Sequence, residues 1–141
     1  MCVCALQTKE QASFTYDEFE NMALTNPHGM GMMWNDGKSI KLNSSTADHA
    51  VCDVGDALTC PGHIVIRENP KTQEIAVHFR IGTGSNIDVA NCHPFPITSV
   101  PKRIKSKQGS CDVGVMMNGF IGKSTKEFSD TALYVMKNLK K

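Results

Sequence analysis

The stretch that most constrains this chain is a turn. Asn35-Asp36-Gly37 separates two runs that can extend, Gly29-Met30-Gly31-Met32-Met33-Trp34 and Lys38-Ser39-Ile40-Lys41-Leu42. Glycine after aspartate supplies the positive φ of a tight hairpin turn without steric cost. The spacing therefore predicts two antiparallel strands. A lone hairpin is marginal in water, so other strands and helices must cover it.

The rest of the chain offers candidates. Residues 2–7 form a short apolar run suited to a buried strand. Thr15 and Glu18 have the spacing of a capping box, and Tyr16, Phe19, Met22 and Ala23 recur at helical intervals. A helix is expected over about 16–24, ended by Asn26-Pro27. Residues 48–58 are compatible with a helix weakened by Gly55. A strand over 63–67, a turn over 69–72 and a strand over 74–81 follow. Residues 82–96 are rich in Gly, Asn and Pro and read as an ordered loop. Residues 97–110 read as surface loop or weak strand, and 111–117 as a central strand delivering Asn118-Gly119. Ser129 caps a last helix over 130–139, with Ala132, Leu133, Val135, Met136 and Leu139 inward and Lys137, Lys140 and Lys141 at its C-terminus. The expected class is α+β, with helices packed on mostly antiparallel sheets.

A chain of 141 residues fits a single domain over 1–141 with a substantial core. The net charge of +1 gives no indication of a nucleic-acid partner. The one basic run, Lys102 to Lys107, lies between Pro101 and Gly109 and reads as a solvated loop. No apolar run approaches the ~20 residues of a membrane span, and no signal peptide is read at the start. A cytoplasmic location is expected, where Cys2, Cys4, Cys52, Cys60, Cys92 and Cys111 would stay reduced. Cys52, Cys60, His63 and Cys92-His93 match no standard zinc spacing, so no metal is expected.

Five places carry candidate chemistry. Removal of Met1 would leave Cys2 with a thiol and a free α-amine, a nucleophile beside its own base. That amine has a pKa near ~8, so part of it is neutral at physiological pH. Asn118 and the N–H of Gly119 can donate two hydrogen bonds to one oxygen, as an oxyanion hole requires. Arg80 can grip a carboxylate with its planar fork. Thr83, just beyond, belongs to a loop that would close over a ligand. Asp130 can accept from an ammonium, although a carboxylate is also favoured at a helix start for its own sake. Together these groups suit an α-amino acid with a side-chain amide, and glutamine is the obvious case.

The chain resembles the class II glutamine amidotransferases of the N-terminal nucleophile hydrolase superfamily, in particular their short, stand-alone, often phage-encoded versions. The resemblance rests on Met1-Cys2, NPHGMGMMW (26–34), HFRIGTG (78–84), NCHPFP (91–96), MNGFI (117–121) and SDT (129–131), in that order. It implies an Ntn-hydrolase-like αββα sandwich. It also implies Cys2, Asn118 and Gly119 as catalytic groups, with Arg80, Thr83 and Asp130 binding substrate. His28 falls near the site without an assigned role, and His93 reads as structural. No cofactor or metal is implied. Ammonia would pass to a synthase or other acceptor on another chain. Two departures stand out. The usual pattern continues with further strands, so reduced sheets are expected, and Met116-Met117 stand where a small residue and His are usual. The competing reading is a catalytically silent version of the same fold that binds or inhibits another protein. A different N-terminal nucleophile amidase is disfavoured by Arg80 and Asp130, which specify an amino-acid head group.

Overall fold

A computed structural model describes residues 2–8, 10, 14–45, 74–82, 84–106 and 108–139. The hairpin expected around Asp36-Gly37 forms. Strands β2 (Met30–Asn35) and β3 (Ile40–Ser45) pair antiparallel, with Met30 opposite Ser45 and Asn35 opposite Ile40. Gly37 has φ +87°, and the Asp36 carboxylate accepts the N–H groups of Lys38 and Ser39 at 2.9 and 2.8 Å. The bonds from Ser39 and Lys38, with Lys41 at 3.1 Å, hold the Asp36 pKa down to about 2.

Two further strands align with this hairpin. Strand β1 spans Val3–Gln7 and β4 spans Ile75–Phe79; β4 pairs with both β1 and β2, antiparallel to each. With β6 (Gln108–Cys111) the sheet has, among the described residues, five strands in the order β1-β4-β2-β3-β6. All five residues of β4 are buried, as an interior strand covered on both faces requires. A second sheet pairs β5 (Phe95–Pro96) with β7 (Gly114–Val115). The architecture is α+β with antiparallel sheets.

Each face of the larger sheet has its own cover. Helix α1 (Tyr16–Thr25) starts with the expected capping box between Thr15 and Glu18. It packs Phe19 and Ala23 onto Met30, Met32, Ile75, Val77 and Phe79. The Phe19 and Phe79 rings meet edge to face at 4.9 Å. The opposite face carries Gly31, His78 and Ser44 in register, and the segment 92–96 lies against it, with the Ser44 hydroxyl donating to the His93 carbonyl at 3.0 Å. Helices α2 (Pro101–Lys105) and α3 (Asp130–Asn138) build a second core on β5, where Phe95 meets Ile104, Ala132 and Val135. Ser129 caps α3 as expected, its hydroxyl accepting from the Ala132 N–H.

Several expectations need correction. Strand β1 is an outer strand, with Cys4 exposed and Leu6 60% exposed, because among the described residues it pairs only with β4. The 111–117 segment is not a central strand. It leaves the larger sheet at Cys111, crosses the exposed Asp112 and Val113, and enters the smaller sheet at Gly114. The basic run is not a loop: Pro101 opens α2 at its first turn, and Ile104 is fully buried, which anchors its charged neighbours Lys102, Arg103 and Lys105. The loop 82–96 contains a 3₁₀ turn, Val89–Asn91, besides β5. The helix, strand and turn read over 48–72 lie outside the described residues, as do Cys52, Cys60, His63, Lys140 and Lys141. No helix among the described residues is long and apolar enough to cross a membrane.

Gly31 is the tightest point between the two sheets. A Cβ there would sit 1.6 Å from the His93 carbonyl oxygen and 2.7 Å from Ser44 Oγ. Backbone cannot move aside as a side chain can. Gly31→Ala is therefore expected to cost about 3 kcal/mol or more, at the upper end of overpacking effects. Urea unfolding of the two proteins measures it, and near-equal midpoints would show that the sheets separate freely here.

Candidate active site

The site grows from the pairing of β1 with β4. Val3 faces Phe79 in register, which brings Cys2 beside the residues that follow β4. The Ile81 N–H donates to Cys2 Sγ at 3.4 Å, and the thiol donates to the Ile81 carbonyl at 3.6 Å. Arg80 is held by its backbone: its N–H donates to the Gly29 carbonyl at 2.8 Å, and its carbonyl accepts from the His28 N–H at 2.9 Å. His28 secures the next step, because its Nδ1 accepts the Gly82 N–H at 2.8 Å. That is a positioning role for the loop leaving Arg80, which its place in the sequence pattern did not reveal.

The Arg80 side chain is only 4% exposed. Its Nη1 donates to the Asn86 carbonyl at 3.0 Å and its Nη2 to Ser85 Oγ at 2.7 Å. No carboxylate lies within ion-pair distance of it among the described residues. A buried guanidinium without a counter-ion is costly, so an anion brought to it would be bound strongly.

Asp130 opens α3. One carboxylate oxygen accepts the Ile121 N–H at 2.8 Å; the other accepts the Thr131 N–H at 2.8 Å. The first bond ties the helix start to the turn that carries Asn118 and Gly119. Gly119 has φ +119° with open space around it, so the backbone angle alone explains glycine here. Neither the Asn118 amide nor the Gly119 N–H has a hydrogen-bond partner among the described residues. Asp130 has no cationic partner among them either.

Cys2, Arg80, Asn118, Gly119 and Asp130 all line one cavity of about 370 Å³. Residues from four separate parts of the sequence thus meet at one place. Thr83 lies outside the described residues. A second cleft, about 270 Å³ and walled largely by Leu6, Met33, Trp34 and Val113, holds no cysteine, histidine or arginine. Among the described residues no group of three or more His, Cys, Asp or Glu side chains could hold a metal.

Three cavity residues carry roles that the sequence did not announce. Ser85 bonds the Arg80 fork. Asn91, 1% exposed, bridges the loop after Arg80 to the start of α3: its Oδ1 accepts the Ser129 N–H at 2.6 Å. His78, alternating with the buried apolar residues of β4, stacks on His93 at 4.3 Å, and His93 meets Phe95 edge-on at 4.9 Å. The sequence held a weak sign of this cluster in NCHPFP, where Asn and His sit among residues suited to burial. His93 packs its carbonyl and ring against the larger sheet and also lines the cavity.

Burial pushes the His78 pKa down to about 4, and the Arg80 charge pushes the same way against the backbone of Met117. Compared with protein-family models, curated proteins and solved structures, the chain matches none.

His78 predicts an acid response. The folded chain holds the ring neutral, while the unfolded chain protonates it near pH 6.5. Stability from this group is complete above pH 6.5 and falls as pH drops toward about 4. The two values correspond to about 3 kcal/mol. Denaturant unfolding between pH 7.5 and 4.5 should show a shallower decline for His78→Gln than for the wild type. Equal slopes would assign the acid loss to other groups.

Proposed function

We propose that this chain is a glutamine amidotransferase or glutaminase of the class II type, with Cys2 as nucleophile. The observation that carries the reading is the pair of opposite charges in one cavity. Among the described residues Arg80 has no carboxylate partner and Asp130 no cationic partner, and they do not pair with each other. That arrangement complements a zwitterion, the head group of a free α-amino acid. The cavity also contains a thiol and two hydrogen-bond donors, the Asn118 amide and the Gly119 N–H, without a partner among the described residues, which suit an acyl group that must be attacked. The layering of α1, the larger sheet, the smaller sheet and α3 supports an αββα arrangement of the N-terminal nucleophile type, with a reduced second sheet.

Each residue then has one task. Arg80 binds the α-carboxylate through N–H groups not used by Ser85 and Asn86, and Asp130 accepts from the α-ammonium. With Met1 removed, the Cys2 amine takes the thiol proton as sulfur attacks the side-chain amide carbon. Asn118 and the Gly119 N–H hold the oxyanion. The proton passes to the departing nitrogen, and ammonia leaves. Water then splits the γ-glutamyl thioester, giving glutamate and restoring the thiol. Thr83 would contribute to the glutamine pocket, and the ammonia would go to an acceptor on another chain.

One observation favours a second reading, a silent binding module. Both terminal nitrogens of Arg80 already hold partners within the chain, so the fork has an internal structural use.

Intact mass before and after incubation with 6-diazo-5-oxo-norleucine separates the two. The enzyme reading expects loss of Met1 and a single adduct on Cys2, abolished in Cys2→Ala. Retained Met1 with no adduct would leave the silent module. Arg80→Lys should raise KM for glutamine by about 30-fold or more, because losing a charge-assisted fork costs about 2–3 kcal/mol. An unchanged KM would remove Arg80 from the carboxylate site.

A further inference from the structure

Asn91 lies between the two charged ends of the cavity and touches the supports of both. Its Nδ2 donates to the Asn86 carbonyl at 3.4 Å, the same oxygen that accepts from Arg80 Nη1 at 3.0 Å. Its Oδ1 accepts from the N–H of Ser129, the residue before Asp130. Nδ2 also reaches Asp88 Oδ1 at 2.9 Å and the Glu127 carbonyl at 3.3 Å. A second strut runs beside it, where the Asn86 N–H donates to the Lys126 carbonyl at 2.8 Å.

We infer that Asn91 is a positioning residue that sets the separation and angle between the Arg80 guanidinium and the Asp130 carboxylate, and through them the handedness of the amino acid bound. The inference rests on the zwitterion reading of the cavity but not on turnover.

The chemistry of the position is narrow. It needs an acceptor toward Ser129 and donors toward two carbonyls and a carboxylate, on a side chain short enough to stay in the wall. Asparagine supplies the acceptor and two N–H donors from one amide, the donors being shared among the three oxygens. Aspartate would bring no donor and would set a second negative charge against Asp88. Serine would keep one small polar group and lose the span. Asn91 has its oxygen and nitrogen committed to the protein, so it acts on a ligand through Arg80 and Asp130.

Chirality is the readout that a purely structural role would not move. A chiral centre is distinguished when at least three of its substituents are fixed in space. Carboxylate at Arg80, ammonium at Asp130 and side chain toward Cys2 make three. If the first two points drift relative to each other, the enantiomers become similar before either is excluded.

The test is calorimetric binding of L-glutamate and D-glutamate, which keep the head group and have no amide to hydrolyse. It uses wild type, Asn91→Ser and the milder Asp88→Asn, which exchanges the charged acceptor of the Asn91 amide for a weaker neutral one. The wild type should prefer the L form at least tenfold. Asn91→Ser should weaken L-glutamate at least tenfold and bring the L/D ratio close to one, at temperatures where circular dichroism shows it folded. Asp88→Asn should move both in the same direction by a smaller factor, threefold or more, and decides the matter if Asn91→Ser does not fold. A folded variant with reduced melting temperature but unchanged affinity and L/D ratio would overturn the positioning role. Wild type that binds neither enantiomer would overturn it together with the zwitterion reading.

Discussion

Strand β4 is the element on which the rest of the structure depends, because it is bonded along both edges. On one side it aligns β1, and so sets Cys2 beside Ile81. On the other it aligns β2, and the same ladder continues past the strand end to hold Arg80 between His28 and Gly29. A backbone bonded on both sides fixes the direction in which each side chain leaves it, and Ser85 and Asn86 then hold the Arg80 fork. The Arg80 guanidinium therefore points into the cavity by the geometry of the sheet, and its burial follows from position.

The two cores divide the work of building the site. The α1 core fixes the face of the sheet away from the cavity and needs only ordinary apolar packing. The β5 core fixes α3, and with it Asp130 and the bond from Ile121 that holds the Asn118-Gly119 turn. Between them lies a contact with no spare volume, Gly31 against the His93 carbonyl. The cavity is thus the seam of two separately packed units, joined where the chain passes from one sheet to the other.

Local signals in the sequence reported local structure well. The Asp36-Gly37 hairpin, the Thr15–Glu18 capping box and the Ser129 cap all formed, because each depends on hydrogen bonds within a few residues. What was not legible depended on partners far away. An apolar run such as CVCALQ does not say whether neighbours lie on one side or two, and β1 proved to be an outer strand. The segment 111–117 carries no mark of the point where it changes sheets. Pro101 and a single buried Ile104 were enough to turn a basic loop into a helix. At the site, Cys2, Arg80, Asn118, Gly119 and Asp130 could be picked out only as an ordered set of motifs, since each alone reads as ordinary, and the structure brings them to one cavity. Asn91 and Ser85 could not, since their importance lies in which carbonyls and amides surround them.

The bond between the Cys2 thiol and Ile81 spans 79 positions of the chain. Contacts of that reach close late, after local turns and helices have formed, because a long loop must first lose its freedom. The segment that carries Cys2 must therefore wait for β4 before its thiol has a defined setting. A partly folded chain holds the sulfur but not its surroundings. Whatever chemistry the cavity performs is withheld until the longest-range pairing in the sheet is complete.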